Sequence, residues 1–158
     1  MCSSDLVKIA PDLTLNELDD IVAVTRRRMV DGMIVSNTTV KRPPSLRDSK
    51  LAQEAGGLSG QPLFVLATRM LAETFVRVEG QFPLIGAGGI DSGAAALAKV
   101  RAGANIVQLY SALVFRGLSL IGEIKAELLR GLDHGEARTL AELVGLDAAD
   151  LTAQPWPE

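Results

Sequence analysis

Four short apolar runs punctuate the chain: VKIA at residues 7–10, MIV at 33–35, LIG at 84–86 and IVQLY at 106–110. Each is too short for a helix, and each is followed by a stretch with helical spacing or helix-capping residues. Their apolar residues run together instead of alternating with polar ones. Such runs fit parallel strands covered on both faces. A repeated strand–helix unit of this kind leaves two architectures, an open doubly wound sheet or part of a (β/α)8 barrel.

The intervening segments predict the helices. Thr14-Leu15-Asn16-Glu17 is a capping box, and Leu18, Ile21, Val22, Thr25 and Met29 recur at helical spacing, so a helix is predicted over 15–29. Arg26-Arg27-Arg28 falls on its solvated side. Pro62 opens a second helix over 62–79. Ser92 caps a third over 93–102, which Gly103 closes. Helices near 118–132 and 139–150 end the chain. Residues 40–60 form a long connection with Pro43-Pro44 and Gly56-Gly57, and long connections inside compact domains often carry function.

Polar or glycine residues stand toward the C-terminal end of each run: Lys8 in the first, Ser36-Asn37-Thr38 after the second, Gly88-Gly89 after the third, Tyr110-Ser111 in and after the fourth. Barrel active sites gather at that one face. The fold expected is therefore α/β, four βα units of a TIM barrel, where a closed barrel needs eight.

Composition removes other classes. The 158 residues are 47% hydrophobic and 22% charged with net charge −3, as expected of one globular domain. Nucleic acid is not an expected partner, because no basic face is clustered. No apolar run approaches the roughly 18 residues of a membrane span. MCSSDL lacks the basic start and apolar stretch of a signal peptide. One cysteine, Cys2, and one histidine, His134, allow no internal disulfide and no cysteine-based or multi-histidine metal site. Neither is given a catalytic role. These features predict a chain that is itself soluble, facing the cytosol.

Lys8 is the sharpest single residue. An ammonium in a buried strand is costly without an anion. Either it reaches out at the rim, or it is a fixed positive charge facing a ligand that becomes negative. Ser36-Asn37-Thr38-Thr39 is either a polar turn or a set of hydrogen-bonding groups suited to a planar ligand with carbonyl and N–H edges. Gly56-Gly57-Leu58-Ser59-Gly60 and Gly86-Ala87-Gly88-Gly89 each precede a helix. They are either tight turns or the two sides of a phosphate cradle. The second is not a dinucleotide fingerprint, since the third glycine and the later acidic residue are missing. Tyr110 reads first as a core residue, while Ser111 could hydrogen-bond a phosphate.

VKIAPDL, IVSNTTVKRP, GGLSGQPL, PLIGAGGI and RAGANIVQLYSAL, in this order and spacing, closely resemble the C-terminal half of dihydroorotate dehydrogenases. The resemblance runs from Val7 to about Leu146, and the GLSGQPL form resembles the class 2, quinone-dependent enzymes. It implies strands 5–8 of the barrel and an FMN cofactor. Lys8 then matches a flavin-ring contact, and Ser36 stands where the family commonly has a flavin-contacting threonine. Asn37 and Thr38 match the pair that holds dihydroorotate. Ser59, Gly60, Gly88 and Gly89 match the surroundings of the FMN phosphate. Tyr110 and Ser111 match a Tyr-Thr pair on that phosphate, with serine replacing threonine.

The implied reaction oxidises (S)-dihydroorotate to orotate, with a quinone as final acceptor, in de novo pyrimidine (UMP) biosynthesis. The implied location is peripheral, on the cytoplasmic side of the inner membrane. The family's base is a serine in the N-terminal half, so no catalytic residue is assigned here. The membrane-binding region and quinone tunnel also belong to that half. Residues 1–6, which resemble a translated sequencing adapter, are expected to be an artificial leader before a partial barrel at 7–158. The competing expectations are a related flavoenzyme, such as the flavin domain of dihydropyrimidine dehydrogenase, and a non-catalytic half-barrel that binds phosphate or self-associates through its open edges.

Overall fold

The computed structural model describes residues 5–157 apart from 45, 47, 49 and 134–136. Cys2, His134 and most of the expected leader lie outside the described residues. Four strands, β1 (Leu6–Ile9), β2 (Gly32–Val35), β3 (Leu84–Ala87) and β4 (Ile106–Gln108), form one parallel sheet in the order β1-β2-β3-β4. Lys8 pairs with Ile34, Ile34 with Ile85, and Ile85 with Ile106. An order with no reversal is that of a barrel wall, since a doubly wound sheet changes direction at a switch point. β1 opens one residue earlier than the sequence suggests. β4 ends at Gln108, because only Ile106, Val107 and Gln108 find partners on β3.

Helices α1 (Leu15–Arg28), α2 (Phe64–Val78) and α3 (Gly93–Arg101) connect successive strands. The capping box forms at α1: the Thr14 hydroxyl accepts from the Glu17 amide, and the Thr14 amide donates to the Glu17 carboxylate. The backbone bond from Thr14, then its hydroxyl, holds the Glu17 carboxyl below its usual range. α1 buries Leu18, Val22 and Thr25. Met29, expected on that apolar face, is instead the helix C-cap at φ 53 and is 85% exposed. Of the arginine trio, Arg27 and Arg28 are exposed, while Arg26 reaches the Arg77 carbonyl and the Glu79 carboxylate. The second predicted helix begins as a 3-10 turn at Gln61–Leu63 and becomes α-helical at Phe64.

The main core lies between the sheet and α1 and α2, where Ile9, Met33, Val35, Leu84, Met70 and Leu71 pack together. The opposite face of the sheet is less covered than the continuous apolar runs suggest. Leu6 and Ile106 are 48% and 58% exposed, and Ile34 and Ile85 are half-buried. These residues line a cavity of about 440 Å³.

α4 (Ser111–Arg116) and α5 (Ser119–Asp133) follow β4, and α5 packs on α3. α4 is absent from the sequence reading. The helix predicted near 139–150 divides into α6 (Leu140–Leu143) and α7 (Ala148–Ala153). Gly145 between them adopts φ 82, and the ring of Phe75 fills the space a side chain there would need. α7 rests on α2, held by Arg69. That guanidinium pairs with Glu73 at 2.9 Å, donates to the carbonyls of Thr152 and Gln154, and lies 5.0 Å from the Trp156 ring centre. Arg77 continues the chain of charges from Glu73 to Asp19 on α1.

Candidate functional site

A cavity of about 870 Å³ opens at the C-terminal ends of the strands. Lys8, Ser36, Asn37, Thr38, Ser59, Gly60, Gly88, Gly89, Tyr110 and Ser111 all line it. Ten residues picked from five separate stretches of sequence thus meet in one place.

Strand β1 contributes Lys8. The sequence reading placed this ammonium in a buried strand, but β1 is the sheet edge and Lys8 is exposed along the cavity wall. Strand β2 ends in a cis peptide between Val35 and Ser36. Ser36 is buried and donates to the Asn37 carbonyl at 2.9 Å. The Asn37 amide donates to the Ile9 carbonyl at 2.8 Å, which ties the exit of β2 to the end of β1. The Asn37 side-chain oxygen accepts from the Thr38 amide at 3.0 Å. Both side chains remain exposed to the cavity.

The long connection is stitched to this corner. Thr39 and Leu58 form an antiparallel bridge, and the Thr39 hydroxyl donates to Asp12. Arg42 donates to the carbonyls of Ala52, Glu54 and Gly56 on one limb and of Val40 and Lys41 on the other. Gly57 is glycine for a steric reason: a Cβ there would overlap the Thr38 hydroxyl. Asp12 and Arg42 carried no signal in the sequence that would have marked them as loop anchors.

Both glycine turns contribute to the cavity wall. Gly60 takes φ 77 and precedes the 3-10 turn that leads into α2. Gly88 and Gly89 take φ 92 and 76, left-handed values that favour glycine. A Cβ on Gly88 would lie 3.0 Å from Leu63 and Ala67, and one on Gly89 would lie 2.5 Å from the Phe64 Cβ. The β3 turn is therefore pressed onto the start of α2 and leaves its other side to the cavity. The Ser111 hydroxyl donates to that of Ser59 at 3.2 Å, joining the start of α4 to the turn before Gly60. Tyr110, read first as a core residue, is 82% exposed because β4 has already ended.

The cavity also includes Gln61, Asp91, Gln108, Phe115 and Arg116, which the sequence reading missed. Arg116 donates to the Asp91 carbonyl at 2.7 Å and pairs with Glu123. Its place became visible only with α4. Among the described residues no cluster of three or more His, Cys, Asp or Glu could hold a metal. No helix there is long and apolar enough to cross a membrane.

Residues 4–132 match the family model for dihydroorotate dehydrogenase. The chain is 64% identical over 152 residues to the dihydroorotate dehydrogenase (quinone) of Bradyrhizobium sp. strain ORS 278, and 62% identical to that of Rhodopseudomonas palustris strain CGA009. Each match covers 96% of this chain and 42% of the relative, so the chain spans less than half the length of these curated relatives. Two solved structures of the Eimeria tenella DHODH, one with ferulenol and one ligand-free, superpose with TM-scores of 0.84 and 0.85 at 41% and 39% identity. They are matched over 90% and 95% of this chain but only 37% and 40% of their own. The four βα units are thus the half-barrel that the strand order suggests. The chain belongs to the dihydroorotate dehydrogenase family, on the branch whose members are named for quinone.

Proposed function

We propose that the whole protein oxidises (S)-dihydroorotate to orotate with FMN as cofactor and a quinone as final acceptor, in de novo pyrimidine biosynthesis. The observation that carries this reading is the gathering of all ten candidate residues around one cavity. The donor set fits FMN. Two positive-φ glycine turns offer backbone N–H groups to a phosphate, and Lys8 brings a side-chain ammonium to the same cavity. Bound FMN would supply the hydride acceptor, chemistry that belongs to the cofactor.

The chain's own residues would bind and orient. Gly60, Gly88 and Gly89, with Ser59, Tyr110 and Ser111, would hold the phosphate end. Lys8 and Ser36 would contact the ring end, where the ammonium favours developing negative charge. Asn37 and Thr38 would hold dihydroorotate, whose ring edge alternates carbonyl and N–H groups. The backbone bond from Asn37 to Ile9 and the close approach of Gly57 to the Thr38 side chain hold this corner beside the end of β1. No residue of this chain is assigned as the base that takes the C5 proton, and the reading assigns that role to the remaining portion of the longer protein. Attachment to the cytoplasmic side of the inner membrane would also depend on that portion.

The half-exposed row Leu6, Ile34, Ile85 and Ile106 favours a second reading, in which two copies pair their open sheets without catalysis. One set of measurements separates the two. The purified 158-residue chain should bind FMN, seen as flavin absorbance co-eluting with protein, and show no dihydroorotate–quinone turnover. Turnover by the chain alone would show that it holds its own base. A dimer that takes up no flavin would favour the second reading.

A further inference from the structure

Lys99 on α3 is fully buried, and its ammonium nitrogen has no hydrogen-bond partner among the described residues. A buried, unpaired lysine is rare and costly, so its surroundings bear on what it does. The side chain starts beside Gly86: a Cβ on that glycine would lie 3.4 Å from the Lys99 Cβ. It ends at Phe64, with the nitrogen 5.1 Å from the ring centre. Phe64 in turn abuts Gly89, whose missing Cβ would meet the Phe64 backbone nitrogen at 2.7 Å. Lys99 therefore runs along the back of the Gly86–Gly89 turn, on the side away from the cavity.

Among the described residues no neighbouring charge offsets it. Arg69 and Glu73 of α2 pair with each other, and Glu127 of α5 pairs with Arg130. Burial alone pushes Lys99 down to about 7. Below that pH the group is an ammonium whose positive field is weakly screened, and the adjacent concave backbone is an anion-accepting shape.

We propose that Lys99 is a positioning residue for the phosphate cradle, supplying positive potential from behind Gly88-Gly89 and bracing Phe64 against Gly89. This rests on the reading of that turn as a phosphate site. It makes a distinction that packing alone would not: the affinity for a phosphorylated ligand should depend on Lys99, and the affinity for the same ligand without phosphate should not.

The test titrates the 158-residue chain and its Lys99→Met and Lys99→Gln variants with FMN, riboflavin and inorganic phosphate. Both variants should bind FMN about tenfold more weakly, equivalent to about 1.4 kcal/mol, with riboflavin affinity unchanged within about twofold. Phosphate binding should weaken in parallel. Equal losses for FMN and riboflavin, or no loss for FMN, would overturn the proposal. If the unmodified chain binds phosphate but not FMN, the flavin reading fails and the phosphate titration still decides the role of Lys99. If it binds neither, both fall. Methionine is an uncharged, unbranched chain one atom shorter than lysine, and circular dichroism of each variant establishes that it is folded before titration.

Discussion

Replacing Gly89 by alanine should abolish FMN binding and destabilise the chain by about 3 kcal/mol or more. Two independent costs combine. At φ 76 an L-residue is strained, and the added methyl would sit 2.5 Å from the Phe64 Cβ and 2.6 Å from its Cα. Backbone cannot rotate away as a flexible side chain could, so either the β3 turn or the start of α2 must move. Both form the cradle, and a shift of an ångström there removes the hydrogen-bond geometry a phosphate needs. Gly60 gives the control. It also has positive φ, but no atom lies within 4 Å of its would-be Cβ. Gly60→Ala should therefore cost only the backbone term of φ 77 and ψ −161, about 2 kcal/mol. Thermal melts and flavin titration of the two variants check this. Equal effects would mean that the contact with Phe64 does not matter.

Lys99→Met should raise stability near neutral pH by roughly 4 kcal/mol, about 10 °C in melting temperature. The folded chain holds Lys99 near 7, against 10.5 when unfolded. Between these values the unfolded state binds more protons, so stability rises with pH. The penalty is complete below about pH 7 and fades as pH approaches 10.5. The variant lacks this slope, so the two melting curves should converge as pH is raised from 7 toward 10. A gap that stays constant across that range would show that Lys99 is not titrating. The same substitution is expected to weaken FMN binding, so the buried charge trades stability for ligand affinity.

Much of the fold was legible because it depends on neighbours in sequence. The Thr14–Glu17 box, the Leu18-Val22-Thr25 spacing of α1 and the Ser92 cap are local, and these appear as read. The polar residues at strand ends were legible because parallel strands deliver them to one rim. What failed depends on residues far apart in the chain. The break at Gly145 comes from the ring of Phe75, and the anchoring of the 40–60 connection comes from Asp12 and Arg42 meeting distant carbonyls. Met29 fits the helical spacing but falls at the residue where the chain turns left-handed. For Lys8 the sequence left open enclosure facing a ligand or reach to the rim, because a strand's apolar neighbours do not reveal how exposed its cavity side is; the residue is exposed along the cavity wall. Lys99, within ALAKVRAG, looks like an ordinary helix-surface lysine, and it is the packing of α3 on β3 and α2 that encloses it.

The clasp between Arg69 and the C-terminal tail gives the chain a built-in optical reporter. Trp156 is its single tryptophan, and it stacks beside a guanidinium that also grips the carbonyls of residues 152 and 154. Its emission therefore senses whether the tail is docked on α2. That contact lies on a different part of the molecule from the cavity residues named above. Tail release can then be followed without any label in the flavin-free chain, since bound flavin absorbs where tryptophan emits and would dim the same signal.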